Sequence, residues 1–195
     1  KSDPKDTIKF FQKTSTKALD LLEPDGNYEN LPPSKSSVKS TEYADWLISA
    51  FDYWLENAPE IKIRRFEEII ERLYGGHGQV EYFGVEPANL ITIATDGAYE
   101  AVDQIKGSFN GAENLGLNVF DNTIDEVISH ELIQQRLSGE SQLSEKCLDC
   151  KYKDSCGGGY FPHRYSKENL FKNPTIYCSD YKKLFNHINV TINKK

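Results

Sequence analysis

The sequence predicts an α+β protein with a substantial core, and three observations carry that reading. Two long segments repeat apolar residues at helical spacing, the period switches to two near residue 79, and all four cysteines crowd into residues 147–178. The 195 residues suffice for one real core, or for two small units sharing one. A hydrophobic content of 38% with mean hydropathy −0.60 describes a soluble globular chain. No apolar run approaches the roughly 20 residues that span a bilayer, and no signal-peptide pattern follows Lys1, so no membrane partner is expected. The formal charge of −7 argues against nucleic acid, because phosphate binding needs a net basic face. Lys62, Arg64 and Arg65 read as a solvated helix start rather than a phosphate site. A start at Lys1 in a chain without Met reads as a piece of something longer, although a processing event would look the same.

Residues 4–14 form a short helical pattern with Ile8, Phe10 and Phe11 on one side. Residues 18–22 then read as a strand ending in the turn signal Pro24-Asp25-Gly26-Asn27. Helix followed by strand is half of an α/β unit, and such a half cannot bury itself. Residues 31–40, rich in Pro, Ser and Lys, read as a linker. Tyr43, Trp46, Leu47, Ala50, Phe51, Trp54 and Leu55 then repeat at the spacing of an amphipathic helix, with Thr41 placed to cap it. A second helix carries Phe66, Ile69, Ile70 and Leu73 and stops at Gly75-Gly76.

Beyond Gln79, residues 80–83 and 90–93 alternate, Asp96-Gly97 turns the chain, and Tyr99 to Ile105 returns as the partner strand. Asp121 to Leu137 reads as helical. Ser144 to Ser179 is a cysteine-bearing loop region, and Ser179-Asp180 caps a last helix with Tyr181, Leu184, Phe185 and Ile188 on one face. His77 and His130 read as exposed and without role. No Ser/His/Asp set, phosphate-binding glycine loop or paired carboxylates are discernible, so a hydrolase reading has no support.

The cysteines stand as Cys147-x2-Cys150-x5-Cys156-x21-Cys178, the third opening the run Gly157-Gly158-Gly159. Three chemistries fit. Disulfides need an oxidising compartment, and the triplet Asn189-Val190-Thr191 permits one, but no export signal supports it. Four thiolates would make a tetrahedral zinc site, although zinc pairs usually come as two short knuckles. An iron–sulfur cube tolerates uneven spacing because its irons sit at separate corners. Spacing alone leaves cluster and zinc evenly matched.

The pattern Cys147-x2-Cys150-x5-Cys156-x3-Tyr160-x17-Cys178 resembles the C-terminal half of the SPASM motif of radical S-adenosylmethionine (SAM) enzymes, with Tyr160 in place of one cysteine. Gly157 to Tyr165, Phe171-Lys172-Asn173-Pro174 and Tyr177-Cys178 are similar to the subgroup that cross-links side chains of ribosomally made peptides. The likeness reaches upstream through Ile93–Gly97, Arg64–Glu67, Tyr43–Trp54 and Leu21–Tyr28, and so covers nearly the whole chain.

The departures narrow what the resemblance implies. Gly97 puts Val102 where the family's Gly-x4-Cys has a cysteine, and no cysteine precedes it. The retained Cys147, Cys150, Cys156 and Cys178 are those that hold the second auxiliary cluster in typical members. The resemblance therefore implies one auxiliary [4Fe-4S] cluster. The Cys-x3-Cys-x2-Cys that binds the SAM-cleaving cluster is absent, so this chain alone is expected to be inactive. SAM and its cluster would belong to a missing N-terminal radical SAM domain.

The architecture so implied is the end of a partial (β/α) barrel over 1–33 and bridging helices over 34–76. A SPASM-like iron–sulfur domain over 77–195 completes it, with a small antiparallel hairpin, the cysteine-rich loop and a C-terminal helix. The function implied is the auxiliary-cluster and peptide-binding portion of a cytoplasmic maturase acting on a precursor peptide. A zinc-stabilised peptide-binding or structural module is the alternative. With four thiolates on four irons, no iron is left open for substrate, so the cluster would serve electron transfer or structure. The glycine run would let backbone N–H groups approach sulfur, or would merely make a tight turn. Cys178, just before a helix start, would gain from the N-terminal dipole. His163 and Arg164 would orient a peptide carboxylate or the cluster's surroundings, or would be a salt-bridged loop, with Arg164 on an acidic neighbour. Tyr160 reads as a space-filler, and Asp25 as a residue of a barrel-strand end facing the active site.

Overall fold

A computed structural model describes residues 2–33, 35–78, 82–87 and 90–194. The chain opens with α1 (Pro4–Gln12), capped by Asp3, whose Oδ1 accepts from the Asp6 N–H at 2.9 Å, with Pro4 at the first turn. Ile8 is fully buried and Phe11 half-buried, but Phe10, expected beside them, is 62% exposed. Strand β1 (Ala18–Leu19) is shorter than the five residues expected. Its parallel partner is also only two residues long, pairing Ala18 with Lys62 and Leu19 with Ile63.

No compact turn forms at Pro24–Asn27. The chain carries no regular structure there and closes at Asn27–Asn30, whose backbones exchange hydrogen bonds of 3.0 and 3.3 Å. The Asn27 side chain anchors this stretch by donating to Ser108 O at 2.8 Å. The segment read as a linker is likewise tied down. Lys35 is buried, and its Nζ sits 2.5 Å from Asp180 Oδ2.

Helix α2 (Glu42–Asn57) buries Ala44, Leu47, Ala50, Phe51 and Trp54, as its periodicity predicts. Thr41 occupies the cap position without a side-chain cap bond. Strand β2 (Lys62–Ile63) runs directly into α3 (Arg64–Leu73), which buries Phe66 and Ile69 and ends beside Gly75 at φ +81°. The basic start of α3 is not all solvated. Arg64 reaches Asp20, whereas Arg65 is buried and paired bidentately with Glu23.

Of the alternating segment at 80–83, residues 79–81 lie outside the described residues, and Phe83 packs into the core. The hairpin forms as expected from β3 (Thr92–Ile93) and β4 (Ala98–Glu100), joined at Gly97 with φ +84°. The return strand ends at Glu100, not Ile105, because residues 103–107 coil into a 3-10 helix. A strand not expected, β5 (Asn114–Asn118), pairs with β4 to make a three-stranded antiparallel sheet in the order β3-β4-β5.

The helix expected over 121–137 is two helices, α4 (Ile124–Ser129) and α5 (Glu131–Leu137). Thr123 and Glu126 form a capping box for α4. His130 breaks the run with ψ 135°, and its Nδ1 caps α5 by accepting from the Leu132 N–H at 3.2 Å. So His130 has a role. The cysteine region carries α6 (Glu145–Leu148), α7 (Lys153–Cys156) and a 3-10 turn at Phe161–Arg164. The last helix, α8 (Cys178–Ile192), begins at Cys178. Asp180 lies inside its first turn and is not the cap. Its buried carboxylate instead accepts from the Ala44 N–H at 2.9 Å and pairs with Lys35.

Two apolar cores result. One joins α1, α2, α3 and α8 through Ile8, Phe51, Phe66, Ile69, Leu184 and Phe185. The other gathers Tyr99, Ile105, Leu115, Val127, Ile133 and Phe171 around the sheet. The cysteine region contributes to both, through Tyr152, Ile176 and Tyr177 to the first and through Tyr165 and Phe171 to the second. Among the described residues, no helix is long and apolar enough to cross a membrane.

Candidate metal centre

Four short-range devices bring the cysteines together. Cys147 sits on α6, and Cys150 follows through a turn in which its N–H donates to Cys147 O at 3.2 Å. Cys156 ends α7, which Gly157 terminates in the left-handed region at φ +60°. A side chain at Gly157 is impossible, because a Cβ there would stand 1.6 Å from Gly84 O. The chain then returns along residues 171–177 to present Cys178 at the start of α8.

All four cysteines are unbridged, and all four line one cavity of about 380 Å³, its open mouth included. Tyr181 and Phe185, one and two turns along α8 from Cys178, wall it with Thr175 and Gly158. Lys146, Lys153 and Lys182 border it, and among the described residues no carboxylate does. Of these, Thr175 and the three lysines were not singled out from sequence, and Tyr181 and Phe185 were read only as one face of the last helix. The signal was present in the spacing Cys178, Tyr181, Lys182, Phe185, which places one helix face toward the cysteines.

The electrostatics of the cavity are those of thiols crowded away from water. Burial pushes the Cys156 thiol well up, and charge on Cys178, Cys147 and Cys150 pushes it further. A hydrogen bond from the Gly158 backbone N–H opposes both. Burial also raises the Cys178 thiol, against the pull of Lys182 and Lys146. Tyr28, half-buried nearby, is pushed up to about 12, by burial first and then by Cys178 and Cys147. A cationic centre bound among these thiols would reverse the penalty and hold them as thiolates. The donor set therefore fits a thiolate-bound metal group. Among the described residues, no three His, Cys, Asp or Glu side chains gather closely enough to hold a single metal ion.

The remaining predicted residues separate into two groups. Arg164 packs against Gly158 at the edge of the cavity lining, and among the described residues its expected acidic partner is not there. Its Nε donates to Asn173 O at 3.1 Å and its Nη2 to Gln142 O at 2.5 Å, with the guanidinium over the Phe161 ring. His163, Tyr160 and Asp25 form a second group that does not line the cavity. His163 is 2% exposed, wedged between Tyr160 at 4.9 Å and Tyr177 at 5.1 Å between ring centroids. Burial, with Arg65 adding to it, lowers its pKa to about 3, so the ring is neutral. Its Nε2 is 4.0 Å from Asp25 Oδ1, beyond hydrogen-bond reach, and neither ring nitrogen has a hydrogen-bond partner. The Asp25 side chain is 91% exposed. Tyr160 is buried, tilted against Tyr82 at 5.0 Å, and fills space as expected.

Comparison with known proteins gives a consistent picture. No family model matches the chain. A cysteine-type anaerobic sulfatase-maturating enzyme of Clostridium perfringens (strain ATCC 13124) is 26% identical over 197 residues, which takes in 96% of this chain and 52% of that enzyme. Its counterpart from strain 13 is 25% identical, with the same shares covered. Among solved structures, native anSMEcpe with bound AdoMet superposes at TM-score 0.69 and 23% identity, over 97% of this chain and 54% of that one. The same protein with bound AdoMet and the Cp18Cys peptide superposes at 0.67 and 24%, over 98% and 56%. The chain spans about half the length of the curated relatives it matches. It is similar, at low identity, to sulfatase-maturating enzymes, and it shares an α+β fold with structures that bind AdoMet.

Proposed function

We propose that this chain is the C-terminal, auxiliary-cluster portion of a radical SAM enzyme that modifies a precursor peptide. The observation that carries the reading is the convergence of Cys147, Cys150, Cys156 and Cys178, free and partly buried, on one cavity. The spacing Cys147-x2-Cys150-x5-Cys156-x21-Cys178, with its likeness to the SPASM motif, favours an iron–sulfur cube over zinc. The similarity to sulfatase-maturating enzymes, and a structural neighbour holding both AdoMet and a peptide, support a peptide as the molecule acted upon.

When bound, the cluster would supply a reversible one-electron couple. The protein's part is to hold and tune it. A hydrogen bond from the Gly158 backbone would hold down the Cys156 thiol's pKa, and Cys178 stands in the first turn of α8, where the helix dipole would favour negative charge. The apolar and aromatic walls Tyr181 and Phe185 limit water. Asp25, exposed beside the buried neutral His163, would be the residue that meets substrate at the end of the proposed barrel segment; its exposure supports this reading. The motif over Gly157–Tyr165 favours side-chain cross-linking as the modification, and the absence of the Cys-x3-Cys-x2-Cys assigns radical formation to a separate N-terminal domain.

The test is iron, sulfide and zinc per chain after anaerobic purification and reconstitution, with a visible spectrum. About four iron and four sulfide with broad visible absorption is the expected result. One zinc per chain and no colour after reconstitution would replace the cluster reading with a zinc-held peptide-binding module.

A further inference from the structure

A buried guanidinium without a carboxylate is expensive, because a charge taken from water needs a compensating charge nearby. Arg164 is such a group. It is 5% exposed, and no carboxylate among the described residues pairs with it. Its hydrogen-bond acceptors among the described residues are two backbone carbonyls, Asn173 O and Gln142 O, which satisfy donors but do not neutralise a cation. Burial weakens its hold on the proton, and the groups that oppose this are the thiols of Cys147 and Cys156.

The local geometry seats the guanidinium against Gly158, one of the residues that line the cysteine cavity. A Cβ on Gly158 would stand 3.5 Å from Arg164 Cζ and 3.6 Å from its Nε. The cation thus packs on the glycine two residues after Cys156. Gly158, at φ +80°, is what permits this approach. The lysines of the cavity are placed differently. Lys146 and Lys182 are exposed, where water and salt screen them. Lys153 is committed to Glu140 and Asp154.

We infer that Arg164 is the buried counter-ion of the group held by Cys147, Cys150, Cys156 and Cys178. It offsets the negative charge of four thiolates and raises the reduction potential of a cluster bound there. The inference rests on the proposed function, since it needs an anionic thiolate-bound group in the cavity. A cube on four thiolates is net negative in both of its ordinary oxidation states and more so when reduced, so a fixed nearby cation favours the reduced form. Arg164 is on this view a positioning and tuning residue, not a catalytic one.

The experiment compares wild type, Arg164→Lys and Arg164→Gln, each the full chain reconstituted anaerobically. Iron and sulfide per chain are measured first, then the midpoint potential by spectroscopically monitored redox titration. Wild type and Arg164→Lys should carry the same iron and titrate together, because the charge is kept. Arg164→Gln should hold less iron, and its remaining cluster should titrate at a more negative potential. Lys182→Glu, on the exposed rim, should shift the potential less than Arg164→Gln.

An Arg164→Gln variant with full iron and an unmoved potential would overturn the inference while leaving the cluster reading standing. If Arg164→Gln does not fold, Arg164→Lys decides. A lysine cannot bridge the two carbonyls as the guanidinium fork does. Loss of iron in Arg164→Lys would therefore assign Arg164 a hydrogen-bonding role and overturn the counter-ion. Wild type that takes up no iron overturns both readings, and is seen before any variant is compared.

Discussion

Replacing Glu23 by Gln should destabilise the protein more than any other single isosteric change in the described core. Glu23 and Arg65 have side chains 1% exposed, and they meet through both guanidinium Nη atoms. The Tyr181 hydroxyl donates to the same carboxylate at 2.5 Å, and the Arg65 guanidinium lies 5.0 Å from the Tyr82 ring centroid and 5.4 Å from that of Phe83. Arg65 Nε has no partner, so the ion has no spare compensation. Breaking a buried pair from one side costs about 3–5 kcal/mol, because the other charge is left in the interior. The Gln amide oxygen can still accept from Arg65 or Tyr181, so the low end, about 3 kcal/mol, is expected.

Against a total stability of about 5–15 kcal/mol, a loss of that size is readily measured. Urea unfolding followed by far-UV circular dichroism, under reductant and without air, reads it as a lowered midpoint at constant slope. Tyr181→Phe should cost about 1.5–3 kcal/mol, as loss of one hydrogen bond to a charged group. The double variant Glu23→Leu/Arg65→Met removes both charges and should recover to within about 2 kcal/mol of wild type. A Glu23→Gln cost under about 1 kcal/mol, or a double variant as unstable as the single, would refute the claim that charge burial sets the energetics here.

Two further outcomes follow from positions near the cysteines. Gly157→Ala should abolish iron uptake and lower the urea midpoint sharply, since the new Cβ collides with the Gly84 carbonyl at a left-handed backbone. Gly107→Ala, where a Cβ meets nothing within 4 Å, should stay within about 1 kcal/mol of wild type; equal effects of the two would sink the steric account. His163 has a folded pKa of about 3 against roughly 6.5 when unfolded. Between those values the unfolded chain binds the proton first, so stability is complete above about pH 6.5 and falls by up to about 1.4 kcal/mol per unit as pH drops toward 3. His163→Phe should flatten that part of the pH–stability curve without cost at pH 7, because neither ring nitrogen has a hydrogen-bond partner to lose; an unchanged slope would show that His163 is not the group responsible.

What the sequence made legible is what local periodicity encodes. Helices α2 and α3 follow their apolar spacing to within a residue or two, and the Asp96-Gly97 turn falls where the alternation changes direction. The cysteines could be grouped from their spacing because helix ends and glycines hold them over short distances. What stayed illegible depends on partners distant in the chain. Nothing near Lys35 says that Asp180 will bury it, and nothing near Arg65 says that Glu23 will. Strand β5 was missed because Asn114, Gly116 and Asn118 carry little strand preference of their own, and the pairing comes from β4. His130 was missed as a cap because a histidine at a helix junction is not a common cap residue.

Long-range dependence also bears on how the candidate centre is held. Its fourth ligand, Cys178, opens a helix whose apolar face is buried chiefly against α2 and α3, with Phe185 also meeting Tyr152 of the segment that carries the other three. Tyr177, just before it, donates to Pro24 O at 2.8 Å, and Tyr181, one turn on, donates to Glu23. Tyr28 in turn donates to Pro174 O at 2.9 Å. The stretch from Glu23 to Tyr28 is thus fastened at three points to the residues around Cys178. A displacement of that stretch by a bound peptide at Asp25 would be carried to one side of the cysteine cavity. Were a peptide to bind at Asp25, its coupling to the centre would follow from which helix presents the last cysteine.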